Sequence, residues 1–157
     1  MALEQFLELT GINGEASAPD ARGALSILSW SFGVAASDRG GTTAPQFQRF
    51  RFMKLVDSST PLLMALCAQG AVVAQAKLLV RSPGHRDPRL VVDLRSAVVV
   101  DISTSHDRLT GEVLDEVALR FERIWVGGAV LDRRGFGEQV NWFAWDVGEN
   151  RPATGAP

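Results

Sequence analysis

The stretch Phe50–Gly70, FRFMKLVDSSTPLLMALCAQG, joins a predicted strand to a predicted helix. Apolar and polar side chains alternate at its start, which is typical of a strand that is buried on one face. Phe50 and Phe52 share a face with Lys54, and Arg51 lies on the opposite face. The same alternation extends the predicted strand over Phe47–Val56, with Gln48 and Val56 on the phenylalanine face and Arg49 beside Arg51.

The second half of this stretch predicts a short helix. Ser59 or Thr60 can serve as its N-cap, and Pro61 suits the first turn because an N–H there has no partner. Leu62–Gln69 forms the body, and Gly70 supplies the C-terminal stop. Because the helix is short and mostly apolar, we expect it to pack on a sheet.

The remaining chain is expected to form short strands, because Gly, Pro, Ser and Asp repeatedly interrupt the apolar alternation. Residues 103–111, STSHDRLTG, are predicted to form a loop. This pattern predicts a mostly β fold: a small β-barrel of two packed antiparallel sheets with one short α-helix. Residues 1–150 would be its single domain and residues 151–157 a flexible C-terminal tail. The other predicted strands are Leu3–Leu9, Leu25–Val34, Ala74–Arg81, Glu116–Val126 and Val140–Val147, together with Val91–Arg95 and Ala97–Ile102, which form one bent strand or two short ones.

Composition narrows the classes of function. The 157 residues carry a net charge of −2, so no basic field favours binding to nucleic acid. No apolar run approaches the roughly 20 residues that cross a bilayer, so we expect no membrane insertion. The first residues, MALEQFLELTGI, have acids where a signal peptide has cations. We therefore expect the chain to fold in the cytoplasm and, if it is exported, to leave without a cleaved signal.

The residues that often carry chemistry form no recognisable site. Cys67 is the only cysteine, so no internal disulfide is expected, and its apolar surroundings predict a buried structural side chain. His85 and His106 fall in predicted loops, and Asp93 and Asp101 are interpreted as solvated or salt-bridged surface acids. No zinc spacing, phosphate-binding loop or nucleophile motif occurs. We therefore expect no catalytic residue, no metal and no cofactor, and predict that the protein is not an enzyme.

The stretch Ile27–Val34, ILSWSFGV, alternates large apolar residues with very small ones. A strand of this sequence places its large side chains on one face, which is expected to pack in the core: Leu28, Trp30, Phe32 and Val34. The opposite face carries only Ser29, Ser31 and Gly33.

These blocks, in this order, resemble the Hcp family, the hemolysin-coregulated proteins of bacterial type VI secretion, whose fold is similar to that of phage tail-tube proteins. FLELTGINGEA resembles the family's first strand and its turn with Gly11, Gly14 and Glu15, and ILSWSFGV matches its Leu-x-Trp-Ser-Trp/Phe-Gly block. FRFMKLVDSSTPLLMALCAQG is the closest block, and AQAKLLVR, EVALRFERIWV and WDV follow it. The resemblance extends from about Phe6 to Asn150, with departures at residues 82–85 and 127–136.

The resemblance implies a structural subunit of the type VI secretion inner tube, without an enzymatic site. Six copies would close head-to-tail into a hexameric ring, and rings would stack into a hollow tube that a contractile sheath pushes out. Effector cargo proteins would ride inside the ring, and a spike protein of the VgrG type would sit at the tip. The subunit itself would be secreted by this system.

In such a ring, one strand can face the core on one side and the lumen on the other. We expect Ser29, Ser31 and Gly33 to line the lumen, since short polar side chains keep a bore open and can hydrogen-bond to cargo. The long loop Ala35–Pro45 is expected to reach the neighbouring ring, as the corresponding loop of the family does. Its centre has the composition of a flexible arm with charges at a bend: Ser37, Asp38, Arg39, Gly40, Gly41 and Thr42.

Other interpretations remain open at this stage. The serine face can be an ordinary solvated or sheet-packed surface, and the long loop can be merely disordered. As a whole, the chain can be a monomeric β-barrel adaptor or binding module, a hydrolase with an unrecognised site, or a tail-tube subunit of another phage-like contractile particle.

Overall fold

The protein is described by a computed structural model that covers residues 3–19, 21–36, 44–85, 87–131, 137–155 and 157. Within these residues the chain forms one helix, α1 (Thr60–Gln69), and the strands β1 (Glu4–Leu9), β2 (Leu25–Ser26), β3 (Ser29–Ser31), β4 (Val34–Ala35), β5 (Gln46–Phe47), β6 (Phe50–Leu55), β7 (Val72–Arg81), β8 (Leu90–His106), β9 (Val113–Arg120), β10 (Arg123–Leu131), β11 (Gly137–Asp146) and β12 (Arg151–Pro152).

One continuous antiparallel sheet of ten strands builds both layers of the molecule. The long strand β8 belongs to both layers, because its first half pairs with β7 and β10 and its second half pairs with β9. We call β3, β6, β9 and residues 98–106 of β8 the front layer. The back layer comprises β1, β2, β7, β10, β11, β12 and the first half of β8. A separate hairpin pairs β4 with β5.

The sheet bends within β8. Ser96 has a φ of 51°, which lies in the left-handed region that few residues other than glycine adopt. The register with β9 then shifts between Val99 and Asp101, as at a β-bulge. The segments predicted over residues 91–95 and 97–102 are therefore one bent strand. The predicted loop at residues 103–111 is wrong in its first part, because residues 103–106 continue the strand and pair with β9.

The two layers enclose a single large core. Apolar side chains of the back layer meet those of the front layer there, among them Leu7, Leu78 and Val92 from the back and Phe50, Phe52 and Leu119 from the front. The prediction of a mostly β fold, with two packed antiparallel layers and one helix, is confirmed. The layers differ from two separate sheets in being parts of one bent sheet, and among the described strands this sheet does not close on itself. Arg151 and Pro152, at the start of the predicted tail, pair with the end of β11.

Helix α1 begins and ends where the sequence predicts, but without a side-chain bond at its N-cap. Gly70 is in the left-handed conformation, with a φ of 62°, and its N–H donates to the carbonyl of Cys67. Ser59 is the N-cap residue, but its side chain makes no capping bond to the helix. Its hydroxyl instead donates to Asp57 Oδ1 at 2.5 Å. The start of the helix is thus fixed by the turn that precedes it.

A buried polar cluster holds this turn to the front layer. Lys54 and Asp115 are cross-strand partners on β6 and β9, both are fully buried, and Lys54 Nζ lies 2.9 Å from Asp115 Oδ2. The hydroxyl of Thr60, in the first turn of α1, donates to the same Oδ2 at 2.5 Å, and Thr104 on β8 donates to Oδ1 at 2.6 Å. Lys54 also pairs with Asp57 at 2.9 Å. Helix and strands therefore meet at one ion pair.

The prediction that Asp93 and Asp101 are surface acids is wrong for Asp93. Asp93 is 1% exposed, and its carboxylate accepts hydrogen bonds of 2.7 Å from Gln75 Nε2 and from Arg95 Nε. Asp101, by contrast, is exposed as expected. The difference arises because Asp93 has Gln75 and Arg95 as bonding partners, and a carboxylate is buried only with such partners.

We expect Lys54→Met to destabilise the fold by about 3–5 kcal/mol, because it leaves Asp115 as a buried charge without its cation. Lys77→Met is the matched control, since the chain has only these two lysines and Lys77 is partly exposed. Urea unfolding followed by circular dichroism measures both. If the two variants agree within about 1 kcal/mol, the central role of the pair is wrong.

Acid should weaken the same cluster. Burial opposes ionisation of Asp115, but hydrogen bonds from Thr104, Thr60 and Lys54 outweigh it and lower the pKa of this carboxyl below its ordinary value. A pKa lowered on folding stabilises the protein above the unfolded-state pKa, and this contribution is lost as the pH falls through the folded-state pKa. We therefore expect the free energy of unfolding to fall below about pH 4, more steeply in the native chain than in Asp115→Asn. Asp101→Asn, at an exposed position, should keep the native slope; equal slopes in all three proteins would contradict the assignment.

Candidate functional site

The predicted strand at residues 25–34 is divided into three short strands. Trp30 and Phe32 meet the expectation for the apolar face, because their rings stack at 5.9 Å and pack against the core. Leu28 and Val34 do not, since they are 52% and 55% exposed. The chain leaves the front layer on both sides of β3, and only the middle of the stretch packs as a strand with a buried face.

The indole of Trp30 fixes β3 in place. Its Nε1 donates to Gln5 Oε1 at 2.7 Å, and Gln5 Nε2 donates to the carbonyl of Leu28 at 2.9 Å. The N–H of Leu28 donates in turn to the carbonyl of Met53 on β6. These bonds connect β3 to both β1 and β6. The outward direction of Ser29 and Ser31 therefore follows from the inward direction of Trp30.

The outer face of the front layer carries the two serines in a defined row. Ser29 lies opposite Met53, and Ser31 lies opposite Arg51. Met53 lies opposite Glu116 on the next strand. These side chains line a shallow groove of about 170 Å³. The two serines therefore have charged neighbours, the guanidinium of Arg51 and the carboxylate of Glu116.

The side chains that line the groove can make hydrogen bonds to another molecule. Serine hydroxyls donate and accept, Arg51 offers a planar set of donors, and the Glu116 carboxylate accepts. Such a set fits the polar backbone and side chains of another protein. The groove lining includes no histidine or cysteine that could act on the serines as a base or nucleophile.

Gly33 lies apart from the two serines. It follows β3, and its carbonyl accepts a hydrogen bond from the N–H of Gln48 at 2.8 Å. A Cβ at this position would lie 3.2 Å from Gln48 Oε1, so a larger residue would press on that side chain. Gly33 also lines an apolar cavity of about 240 Å³ with Phe32 and Phe47. The structure therefore brings Ser29 and Ser31 together and leaves Gly33 outside the groove.

The loop predicted to stack rings falls mostly outside the described residues, which applies to Ser37, Asp38, Arg39, Gly40, Gly41 and Thr42. Its base is described. Val34 pairs with Phe47 and Ala35 with Gln46, so the loop rises from a two-stranded hairpin. This hairpin is separate from the main sheet.

The front layer has an open edge on each side. Among the described strands, β3 pairs only with β6, and the part of β8 beyond Val99 pairs only with β9. Each edge therefore presents backbone N–H and C=O groups to a neighbour. Sequence reasoning did not find these edges, because pairing partners follow from the register and not from the alternation within a strand.

The other residues considered for chemistry are dispersed. Cys67 packs against the core from α1, His85 lies in a turn and His106 is exposed at the end of β8. Within the described part of the chain, no group of three or more His, Cys, Asp or Glu side chains is placed to hold a metal ion. No described helix is long and apolar enough to span a membrane.

Comparison with known proteins gives one consistent result. The family model described as "Type VI secretion system effector, Hcp" matches residues 6–127. Protein hcp1 of Pseudomonas aeruginosa is 30% identical over 138 residues, which cover 80% of this chain and 83% of that protein. The crystal structure of Hcp1 from Salmonella typhimurium is similar in fold, with a TM-score of 0.82 and 23% identity over 98% of this chain and 100% of that chain. A structure described as that of a type six secretion system protein has a TM-score of 0.87 and 14% identity, covering 97% of this chain and 100% of that chain.

Proposed function

Because the chain belongs to the Hcp family of type VI secretion proteins, a family of secreted structural tube proteins, we propose that it is a ring-forming subunit of the secretion tube. Six copies close head-to-tail into a ring, and rings stack into a hollow conduit. The work of the subunit is mechanical: it encloses effector cargo and transmits the push of a contractile sheath to a spike of the VgrG type.

The two open edges of the front layer carry this proposal. The layer has four antiparallel strands in the order β3, β6, β9 and the second half of β8. An even number of antiparallel strands leaves its two edge strands running in opposite directions. When copies are related by rotation about an axis along the strands, β8 of one copy meets β3 of the next in antiparallel orientation. The ladder then continues from subunit to subunit until the ring closes.

The size of the closed sheet suits a conduit. Six copies of the four-stranded front layer give a barrel of roughly 24 strands, and barrel diameter grows with strand number. Barrels of about 22 strands already enclose a plug domain. The bore would therefore admit a small folded protein. The outer face of the front layer, with Ser29 and Ser31, becomes the wall of the lumen.

The hairpin β4–β5 supports the assignment of the loop between its strands to stacking. A short hairpin, separate from the main sheet, holds the two ends of the loop together. A loop anchored in this way can reach a second ring without disturbing the closure of the first. In this arrangement the edges of the front layer make the ring, and the loop makes the tube.

The mass of the purified protein tests the ring directly. We expect light scattering to give a mass near six subunits that persists across a dilution series. A variant with the loop replaced by a two-residue Asn-Gly turn should keep this mass and lose tubes in electron micrographs.

A native chain that is monomeric at every concentration would contradict the preassembled ring. Tubes that persist in the shortened variant would contradict the role of the loop in stacking. Loss of the circular dichroism signal in that variant would show that the loop serves the fold instead.

Ser31→Gln tests the lumen assignment. The larger side chain projects into the groove beside Arg51, so we expect the protein that co-purifies with the ring to fall at least about tenfold, with the mass of the ring unchanged. Ser26→Gln is the matched control, because Ser26 is an exposed serine on β2 of the back layer. Quantitative mass spectrometry of the co-purified protein gives the comparison. If equal amounts of cargo protein co-purify with the two variants, Ser31 does not contact cargo.

A further inference from the structure

Three exposed arginines lie at one end of the outer face of the front layer. Phe50 and Leu119 form the last registered pair between β6 and β9, and both are buried. Arg49 precedes Phe50 and Arg120 follows Leu119, so both arginines lie at this end of the ladder, and both are exposed. Arg51 follows on the same face, opposite Ala118 and next to Ser31.

These arginines have no carboxylate partner within the described chain. Arg81, Arg95 and Arg151 each form an ion pair with an acid of the protein, with Glu4, Asp93 and Glu149 respectively. The described structure shows no ion pair or side-chain hydrogen bond for the three arginines of the front face. The chain has 18 acidic residues and 16 lysines and arginines, so a shortage of acids does not explain why these three arginines have no ion pair.

The arrangement does not serve the stability of the monomer. Side chains on adjacent strands interact with their diagonal neighbours as well as with those directly opposite. Arg120 lies two residues beyond Ala118, the partner of Arg51, so these two like charges are diagonal neighbours, and Arg49 adds a third positive charge just before β6. A local cost of this kind is expected where a surface has a task besides folding.

We propose that Arg49, Arg51 and Arg120 form a carboxylate-binding collar that selects cargo proteins with an acidic surface or segment. The proposal rests on the tube function, because it places the collar at one end of the lumen wall. In a ring, the three arginines recur in every subunit and close into a continuous belt. The guanidinium group suits this task, since its planar donors match a carboxylate in a bidentate geometry.

The remainder of the same face favours protein over nucleic acid as the partner. Glu116 and Asp101 are exposed next to the arginines, so this face presents both signs of charge. The groove beside Arg51 presents the hydroxyls of Ser29 and Ser31 and no exposed aromatic ring on which bases could stack. A protein surface carries acids and cations side by side, so it fits both signs of charge.

Exposed ion pairs also suit a conduit that must release its load. Each is weak and screened by salt, so the belt would retain cargo through many contacts that break one at a time. Retention should therefore depend strongly on ionic strength.

Binding of a fluorescein-labelled deca-glutamate peptide, measured by anisotropy at 50 and 300 mM NaCl, tests the collar. The double variant Arg51→Gln/Arg120→Gln is compared with Arg22→Gln/Arg89→Gln, which removes the same charge at two exposed positions outside this face. We expect the Kd to rise at least about tenfold in the first variant and less than about twofold in the second. The salt dependence should flatten only in the first variant.

Several results would overturn the proposal. If the two double variants lose affinity for deca-glutamate equally, net charge alone explains the binding. If deca-lysine binds as tightly as deca-glutamate, the collar is not selective for carboxylates. A ten-nucleotide single-stranded DNA that binds more tightly than deca-glutamate, and depends on the same arginines, would make the partner a nucleic acid. A melting temperature several degrees lower in the Arg51→Gln/Arg120→Gln variant would give the arginines a structural role.

The deca-glutamate titration also distinguishes the collar proposal from the proposal that the protein is a tube subunit. The arginines are exposed on the single chain, so a monomer can be titrated as readily as a ring. If the protein is monomeric and still binds deca-glutamate through these arginines, the tube assignment fails and the acidic-protein site stands. If rings form and the arginines have no effect, the tube assignment stands and the collar is wrong.

Discussion

The ion pair between Lys54 and Asp115 is the constraint on which the front layer depends. Two buried charges are tolerated only when each faces the other and its remaining bonding capacity is satisfied. Asp115 meets this condition with Lys54, Thr60 and Thr104, which come from a strand, the helix and the bent strand β8. A slip of one residue between β6 and β9 would turn Lys54 outward and leave Asp115 without its cation. The pair therefore fixes the register of the layer and the position of α1 together.

The strand register that the buried side chains fix also determines which side chains lie on the outer face of the front layer. Because side chains alternate along each strand, Lys54 and Phe52 can face inward only if Arg51 and Met53 face outward. The same holds for Trp30 between Ser29 and Ser31, since its indole is bonded to Gln5. The outer face is thus a consequence of the core, although its exposed side chains do not pack in the core. Its side chains are consequently free to change with the partner that the face contacts.

The sequence predicts the local elements well and their juxtaposition poorly. Alternation and the Pro61 and Gly70 signals place β6 and α1 nearly where the structure has them, because these depend on neighbours in the chain. The burial of Lys54 and Asp115 does not follow from local pattern, since a charged residue on an apolar face is buried only if a distant partner pairs with it. The row from Ser29 through Met53 to Glu116 depends on two registers, which no single strand encodes. The polar composition of residues 103–106 predicts a loop, whereas pairing with β9 makes them a strand.

The open edges of the front layer carry a risk that the proposed ring would remove. Exposed strand edges are templates for unspecific pairing, and proteins usually blunt them with charge, proline or a covering element. Here one edge strand, β3, has only three residues, and the other ends in the polar residues Thr104, Ser105 and His106. These features weaken indiscriminate pairing without abolishing it. An edge of this kind suits a subunit that must stay soluble alone and still accept one neighbour on each side, because closure of the ring leaves no edge of the front layer unpaired.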